Sequence, residues 1–351
     1  MRITNSMIVN NFMNNLNTNM TKLDKLQNQL STGRKYGHIS DDPVAVIFSQ
    51  SATSRLSRLS HYQRTVGTAQ DWLLQAETGV MELQGTLVSA YEECINASTD
   101  GKTPADKEAI ASVVVQLRDH FVDTLNTVFG DKYIYGGYNT PGDFPAASPA
   151  GTQDGPFDVR EIGGQSVLHY NGHPLPAEMK APMDTDPEFT ALFESLMNDV
   201  MSLDVGPGVS MPVTMNGIDL VMFRTTDENG QTIFKNAFNV MDDLYKAVSG
   251  DPSFNPDANT SVIASAIKPL QDAQGHMLSK VAEIGGRTRR LDMLGARYEQ
   301  DEINYTRMKS DVDDADMAEV IMNQKMAEAV YQAALSTGAK IIQPTLMDFL
   351  R

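Results

Sequence analysis

Apolar positions at both ends of the chain recur at helical spacing, and those in the middle do not. Near the start, Met13, Leu16, Met20, Leu23 and Leu30 alternate steps of three and four residues, with Gln27 in the slot between the last two. The stretch "STGRKYGHISDDP" breaks this pattern; Asp41 or Asp42 can cap a following helix that has Pro43 in its first turn. From Val44 to about Ser98 there is no proline. Ala69, Leu73, Ala76, Val80, Leu83, Leu87, Ala90, Cys94 and Ala97 keep strict 4-3 spacing, extended upstream by Ala52, Leu56, Leu59 and Val66. This narrow stripe is a coiled-coil seam. A helix of that length, about 80 Å, is too long to be buried in a compact domain.

A turn at "TDGKTPADK" predicts a second helix opening at Pro104, with Ile110, Val114, Leu117, Phe121 and Val128 on one face and its end near Gly130. The short connection predicts antiparallel neighbours. Proline and glycine then crowd residues 136 to 187. "FDVREIGGQSVLHYNG" reads as a hairpin turning at Gly163-Gly164, and "VTMNGIDLVMF" as a second one around Asn216-Gly217. "PEFTALFESLMNDVMSL" and "IFKNAFNVMDDLYKAVSG" read as amphipathic helices, the latter with Phe234, Phe238, Met241, Tyr245 and Val248 on one face. Helix returns after "GDPSFNPDANTS". Leu270, Ala273, Met277, Val281, Ile284, Leu291, Leu294 and Tyr298 form another stripe, continued by Val320, Ala327, Val330, Ala334, Thr337 and Ile341.

The fold class expected is therefore mainly α with an inserted α+β domain, a long antiparallel coiled-coil rod from both chain ends plus a globular knob. The boundaries are terminal assembly helices at 1–40 with 311–351, a helical rod at 41–135 with 256–310, and the knob at 136–255.

Composition narrows the function. With 351 residues and a formal net charge of -17, the chain is soluble and lacks the basic face that nucleic acid or an anionic membrane requires. No apolar run is long enough for a membrane span, and the first residues carry no secretory signal pattern. Cys94 is the only cysteine, which excludes an intrachain disulfide. On the stripe of a long helix it reads as a small core residue rather than a nucleophile. Trp72, beside stripe residue Leu73, reads as helix packing.

Candidate chemistry is thin. No H-E-x-x-H, Walker A, G-x-S-x-G or EF-hand pattern occurs. Ser166 lies near His169 and His173, but without a strand-turn-helix elbow. Asp311, Asp313, Asp314, Asp316 and Glu319 fall within nine residues and read as a solvated face and polar joint rather than a metal site. An enzyme has little to stand on, and no cofactor or metal is expected.

Two stretches at opposite ends carry a resemblance. "NTNMTKLDKLQNQLSTGRKYGHISDDPVAV" resembles the N-terminal region of the flagellin superfamily: an amphipathic helix, a polar L-S-T-G loop, and an acidic D-D-P opening a long helix. "GARYEQDEINYTRMKSDVDDADMAEVIMNQKMAEAVYQAALSTGAKIIQPTLMDFL" is similar to the matching C-terminal region. "SDDPVAV", "KYIYGGYNTPGDFP" and the closing "IIQPTLMDFL" are more like the superfamily's hook-associated members than flagellin. "KYGHIS" departs from the Asn- or Ser-rich loop of relatives, and the inserted domain matches no known motif.

The resemblance implies a non-enzymatic structural component of the bacterial flagellum that joins hook to filament. It implies self-assembly as a ring of identical subunits through paired terminal helices. The implied partners are the other hook-associated junction protein, hook protein, flagellin and an export chaperone. The implied location is extracellular, reached through the flagellar type III channel.

The assembly interface expected is Met13, Leu16, Met20, Leu23, Leu30, Val320, Ala327, Val330, Ala334, Ile341, Ile342, Leu346, Phe349 and Leu350, with Asp41, Asp42 and Pro43 at the polar loop and helix start. Ends this short gain too little apolar burial alone to offset ordering, so they are expected to fold on assembly. The alternatives are a flagellin, an adhesin whose knob binds glycans, and a spectrin-like coiled-coil protein.

Overall fold

The computed structural model describes residues 5–99, 101–138, 155–162, 165–180, 195, 200–227, 230–250 and 259–341. Among them the chain is predominantly helical, with four small antiparallel sheets. The long helices are α1 (Asn5–Thr32), α2 (Pro43–Ser98), α3 (Pro104–Leu125), α6 (Asn259–Asp313) and α7 (Met317–Ile341). Two shorter ones are α4 (Gly217–Val221) and α5 (Ala237–Ser249). The chain divides into two compact units, one of residues 1–61 with 297–351 and one of residues 62–296. No helix among the described residues is long and apolar enough to cross a membrane.

In the 62–296 unit the predicted stripe is the core. Leu73, Ala76, Val80, Leu83, Leu87, Ala90 and Cys94 are wholly buried. α6 runs antiparallel to α2: Gln70 donates to Asp292 across 2.7 Å, Gln274 to the Leu87 carbonyl across 3.1 Å, and the Cys94 thiol to the Ile263 carbonyl across 3.2 Å. Along α6, Leu270, Ala273, Met277, Ile284 and Leu291 are buried, while Val281 is half-buried.

Thr103 caps α3 in a reciprocal capping box with Asp106, and Pro104 follows as expected. The helix ends earlier than the apolar pattern suggests. Asn126 leaves the helical register, and its side chain holds both backbone groups of Phe157, at 2.8 and 2.9 Å. Val128 is therefore not on the helix face: it lies in β1 (Val128–Phe129), paired with β2 (Lys132–Tyr133), and is exposed. Just beyond, Tyr135 is buried and its hydroxyl donates to the Ala76 carbonyl across 2.9 Å. Gly79 makes room for it, because a Cβ there would lie 2.2 Å from that hydroxyl oxygen.

The first hairpin forms as read, β3 (Phe157–Ile162) pairing β4 (Gln165–Tyr170) with β5 (His173–Pro174) beyond; its turn residues 163–164 lie outside the described residues. The second is a correction. Asn216 accepts from the Ile218 amide and caps α4, so it opens a helix instead of turning a hairpin. Gly217 sits so close to the Phe157 ring and the Tyr135 carbonyl that a Cβ would meet them at 2.5 and 2.7 Å. The strand after it, β9 (Met222–Thr226), pairs β10 (Thr232–Asn236), which also pairs β6 (Glu178–Lys180).

Phe234 is consequently a strand residue. Asn236 caps α5, whose buried face carries Phe238, Met241 and Val248. The helix expected across "PEFTALFESLMNDVMSL" lies mostly outside the described residues. Its last residues, Ser202 and Leu203, belong to β7 (Ser202–Gly206), paired with β8 (Val209–Pro212). Arg118 ties α3 to α5 through Asp242 at 2.5 Å, with Lys246 on the same carboxylate at 2.7 Å.

Candidate assembly surface

The predicted site residues all fall within the 1–61 and 297–351 unit, which is built around two breaks that meet. α1 stops at Gly33, whose φ of 71° is the left-handed conformation a helix end needs, and its amide donates back to the Gln29 carbonyl at 2.9 Å. The chain then pairs with the break between α6 and α7. The Lys35 amide donates to the Asp313 carbonyl across 2.7 Å, the Ala315 amide to the Gly33 carbonyl across 2.9 Å, and Arg34 and Asp314 form an antiparallel bridge. Asp313 is buried there, with the Arg34 guanidinium 3.6 Å away.

The two aspartates of the loop divide the work. Asp42 accepts from the Val44 and Ala45 amides, both at 3.1 Å, and caps α2, which opens at Pro43. Asp41 instead folds the loop: it takes the Lys25 ammonium at 2.8 Å and the amides of Gly37 and His38 at 3.3 and 3.2 Å. Those donors, Lys25 foremost, hold its carboxyl below the usual range. Asp316 caps α7 through the Ala318 and Glu319 amides. Part of the acidic run therefore makes the joint, and no group of three metal-ligating side chains occurs among the described residues.

α1 and α7 pack on each other, and antiparallel: Phe12, early in α1, lies against Gly338, late in α7, while the ends at Arg34 and Asp314 meet. Leu16, Leu23 and Leu30 are half-buried, as are Ala327 and Ala334, and Val320 is buried. Met13, Met20 and Val330 are not in this pairing; they are 45%, 58% and 52% exposed. The 4-3 stripe that does pack runs through Phe12, Leu16, Asn19, Leu23, Leu26 and Leu30. Gln27 is exposed and Leu26, one residue earlier, is the buried residue. A polar Asn19 masks that register in the sequence. On α7 the packed stripe adds Tyr331 and Gly338 to the predicted positions. Ile342, Leu346, Phe349 and Leu350 lie outside the described residues, as does the side chain of Ile341.

This unit is inverted relative to its neighbour in burial. Among the described residues, its buried large apolar side chains and alanines are Leu26, Ala52, Leu59, Tyr298 and Val320, whereas it holds most of the exposed large apolar ones. Met322, Met326 and Val330, four residues apart, form one exposed stripe along α7. Charge is divided too. Residues 1–61 and 297–351 hold 13 basic and 13 acidic side chains, so the net -17 resides in residues 62–296. Exposed apolar stripes on a unit whose sequence charge sums to zero make this face a candidate for association.

The bacterial flagellin N-terminal helical region matches residues 3–140. That stretch, which holds α1 to α3, is thus similar to the flagellin N-terminal region, and in the fold its first helix packs on α7 from the other end of the chain. Along 95% of its length the chain is similar to flagellar hook-associated protein 3 of Escherichia coli, 21% identical over 96% of that protein. A flagellin of Clostridium tyrobutyricum is 24% identical over only 36% of this chain and 34% of its own. Among solved structures, the flagellar junction protein FlgL from Legionella pneumophila shares the fold, with a TM-score of 0.51, 12% identity, and coverage of 77% of this chain and 100% of that one. The resemblance to hook-associated proteins of the flagellin superfamily therefore holds from end to end.

Proposed function

We propose that this chain is a structural element of the flagellum that joins hook to filament, assembling as a ring of identical copies through α1 and α7. The observation that carries the reading is the thin core and exposed apolar stripes of the 1–61 and 297–351 unit. Burying a methionine or valine fully contributes about 1.5–3 kcal/mol, so leaving Met20, Met322, Met326 and Val330 in water is costly unless another chain covers them. In the sequence, Ile342, Leu346, Phe349 and Leu350 continue the apolar pattern past the end of α7. Hook-associated and junction proteins are the relatives matched over nearly their full lengths, which favours a junction role over a filament subunit.

In this reading residues 1–40 with 311–351 form the assembly helices, 41–135 with 256–310 a helical rod, and 136–255 a knob. The partners are hook protein, a second junction protein and flagellin. The chain reaches its site by flagellar export, with a chaperone, and carries no enzymatic activity. Adding the purified chain to isolated hooks and imaging them tests this. A collar at the hook tip, lost in Val330→Asp, is the expected result. Long filaments from the chain alone would make it a flagellin, and no binding to hooks would end the proposal.

A further inference from the structure

Beside the joint lies a groove of about 630 Å³, lined by residues of the 1–61 and 297–351 unit alone. Its charged side chains are Arg34, Arg58 and Asp313, with His38, Tyr36 and the hydroxyls of Thr53 and Ser57 among its polar groups. Asp313 is already engaged by Arg34, and Arg58 has no ion-pair partner among the described residues. In a chain with net charge -17, a groove whose free charge is cationic is an exception that points to an anionic occupant. Guanidinium groups flanked by hydroxyls suit carboxylates, which they take with paired N–H donors.

Charge within this unit is also polarised. Residues 1–61 carry seven basic and three acidic side chains, and residues 297–351 carry six basic and ten acidic. The excess is concentrated in Asp311, Asp314, Asp316 and Glu319, all exposed and none lining the groove of their own chain. Asp314 takes the Ser310 hydroxyl and Asp316 two amides, each leaving acceptor capacity outward.

We propose that the Arg34–Arg58 groove receives the Asp311–Glu319 acidic edge of a second copy, a head-to-tail contact that sets the register between neighbours. It rests on the self-assembly reading above and adds an ionic, register-fixing contact to the apolar one. A groove on one copy and an edge on the next make a heterologous interface, the kind that closes rings.

Charge reversal tests it on the full chain by sedimentation velocity at low salt. Arg58→Glu and Asp311→Lys each weaken self-association about tenfold or more, as close charge pairs do. An equimolar mixture of the two variants regains it, because each reversed groove then meets a reversed edge. Added salt weakens the wild-type contact. Wild-type-like association of Arg58→Glu, failure of the mixture to recover, or a wild-type chain that stays monomeric overturns the proposal. The hook-binding assay separates the two claims: Arg58→Glu decorating hooks as wild type does would remove this contact while leaving the junction role in place.

Discussion

The amide of Lys35 donates to the carbonyl of Asp313 across 2.7 Å, joining two helix breaks that lie nearly 280 residues apart in the chain. Both breaks occur where long apolar stripes pause, one at Gly33 and one at Asp314–Asp316. Pairing them gives their backbone groups partners and aligns α1 with α7. The joint therefore fixes the register of the two terminal helices that expose the apolar stripes.

Asp42→Ala removes the cap of α2 and should cost about 1 kcal/mol, whereas Asp42→Asn should cost little, because the amide oxygen can still accept from Val44 and Ala45. Urea unfolding of the three proteins measures this. Faster amide exchange at residues 44–46 in the alanine variant would locate the loss at the helix start.

Gly338→Ala sets two effects against each other. Alanine favours a helix interior by up to about 1 kcal/mol over glycine. A Cβ at this position, however, would lie 2.2 Å from the Phe12 ring. Overpacking of that kind costs about 1–3 kcal/mol, so the variant should loosen α1 from α7. Adding Phe12→Ala should restore α7 helicity in amide exchange; no change from either substitution would place Phe12 elsewhere.

Loop 33–42 should open in acid. The Asp41 carboxyl is held below its ordinary value of 3.8, chiefly by the Lys25 hydrogen bond and then by the His38 amide. A depressed folded-state value means the stabilisation is present above the ordinary value and lost as pH falls through the folded one. NMR titration of the Gly37 and His38 amides should show this transition, and Asp41→Asn should abolish it.

Cys94 should resist alkylation in the folded chain. It is buried, and burial pushes its thiol up to about 11. At pH 8 only about one thiol in a thousand would then be ionised, and none within reach of reagent. Modification by iodoacetamide should track global unfolding in urea; rapid labelling of native protein would contradict the packing of α2 on α6.

The long elements were legible because their signals are local and periodic. The stripe from Ala69 to Ala97 is buried along its whole length, and Asp42-Pro43 opens a helix where the capping chemistry requires one. What failed was decided by distant partners. "Asn-Gly" at 216–217 reads as a turn, but Tyr135 and Phe157 pack against the glycine, and the asparagine caps a helix instead. Phe234 fits a helical face, yet pairing with Arg224 and Met179 makes it a strand residue.

At the candidate surface, the apolar pattern of α1 was visible but not its division into two faces. Which of Met13 and Leu16 turns inward depends on where α7 lies, and α7 is 300 residues away. Asn19 on the packed stripe and Gln27 beside Leu26 shift the apparent register by one position.

The central claim is that the 1–61 and 297–351 unit completes its burial only against other chains. Amide hydrogen exchange of the full chain, free and bound to isolated hooks, tests it most directly. The account predicts that binding slows exchange at residues 5–32 and 317–341 by at least about tenfold, equivalent to 1.4 kcal/mol, and leaves the core helices of 62–296 unchanged. Unchanged protection of the terminal helices in the bound state, with new protection confined to residues 136–255, would place the assembly contact on the inserted domain and contradict the account.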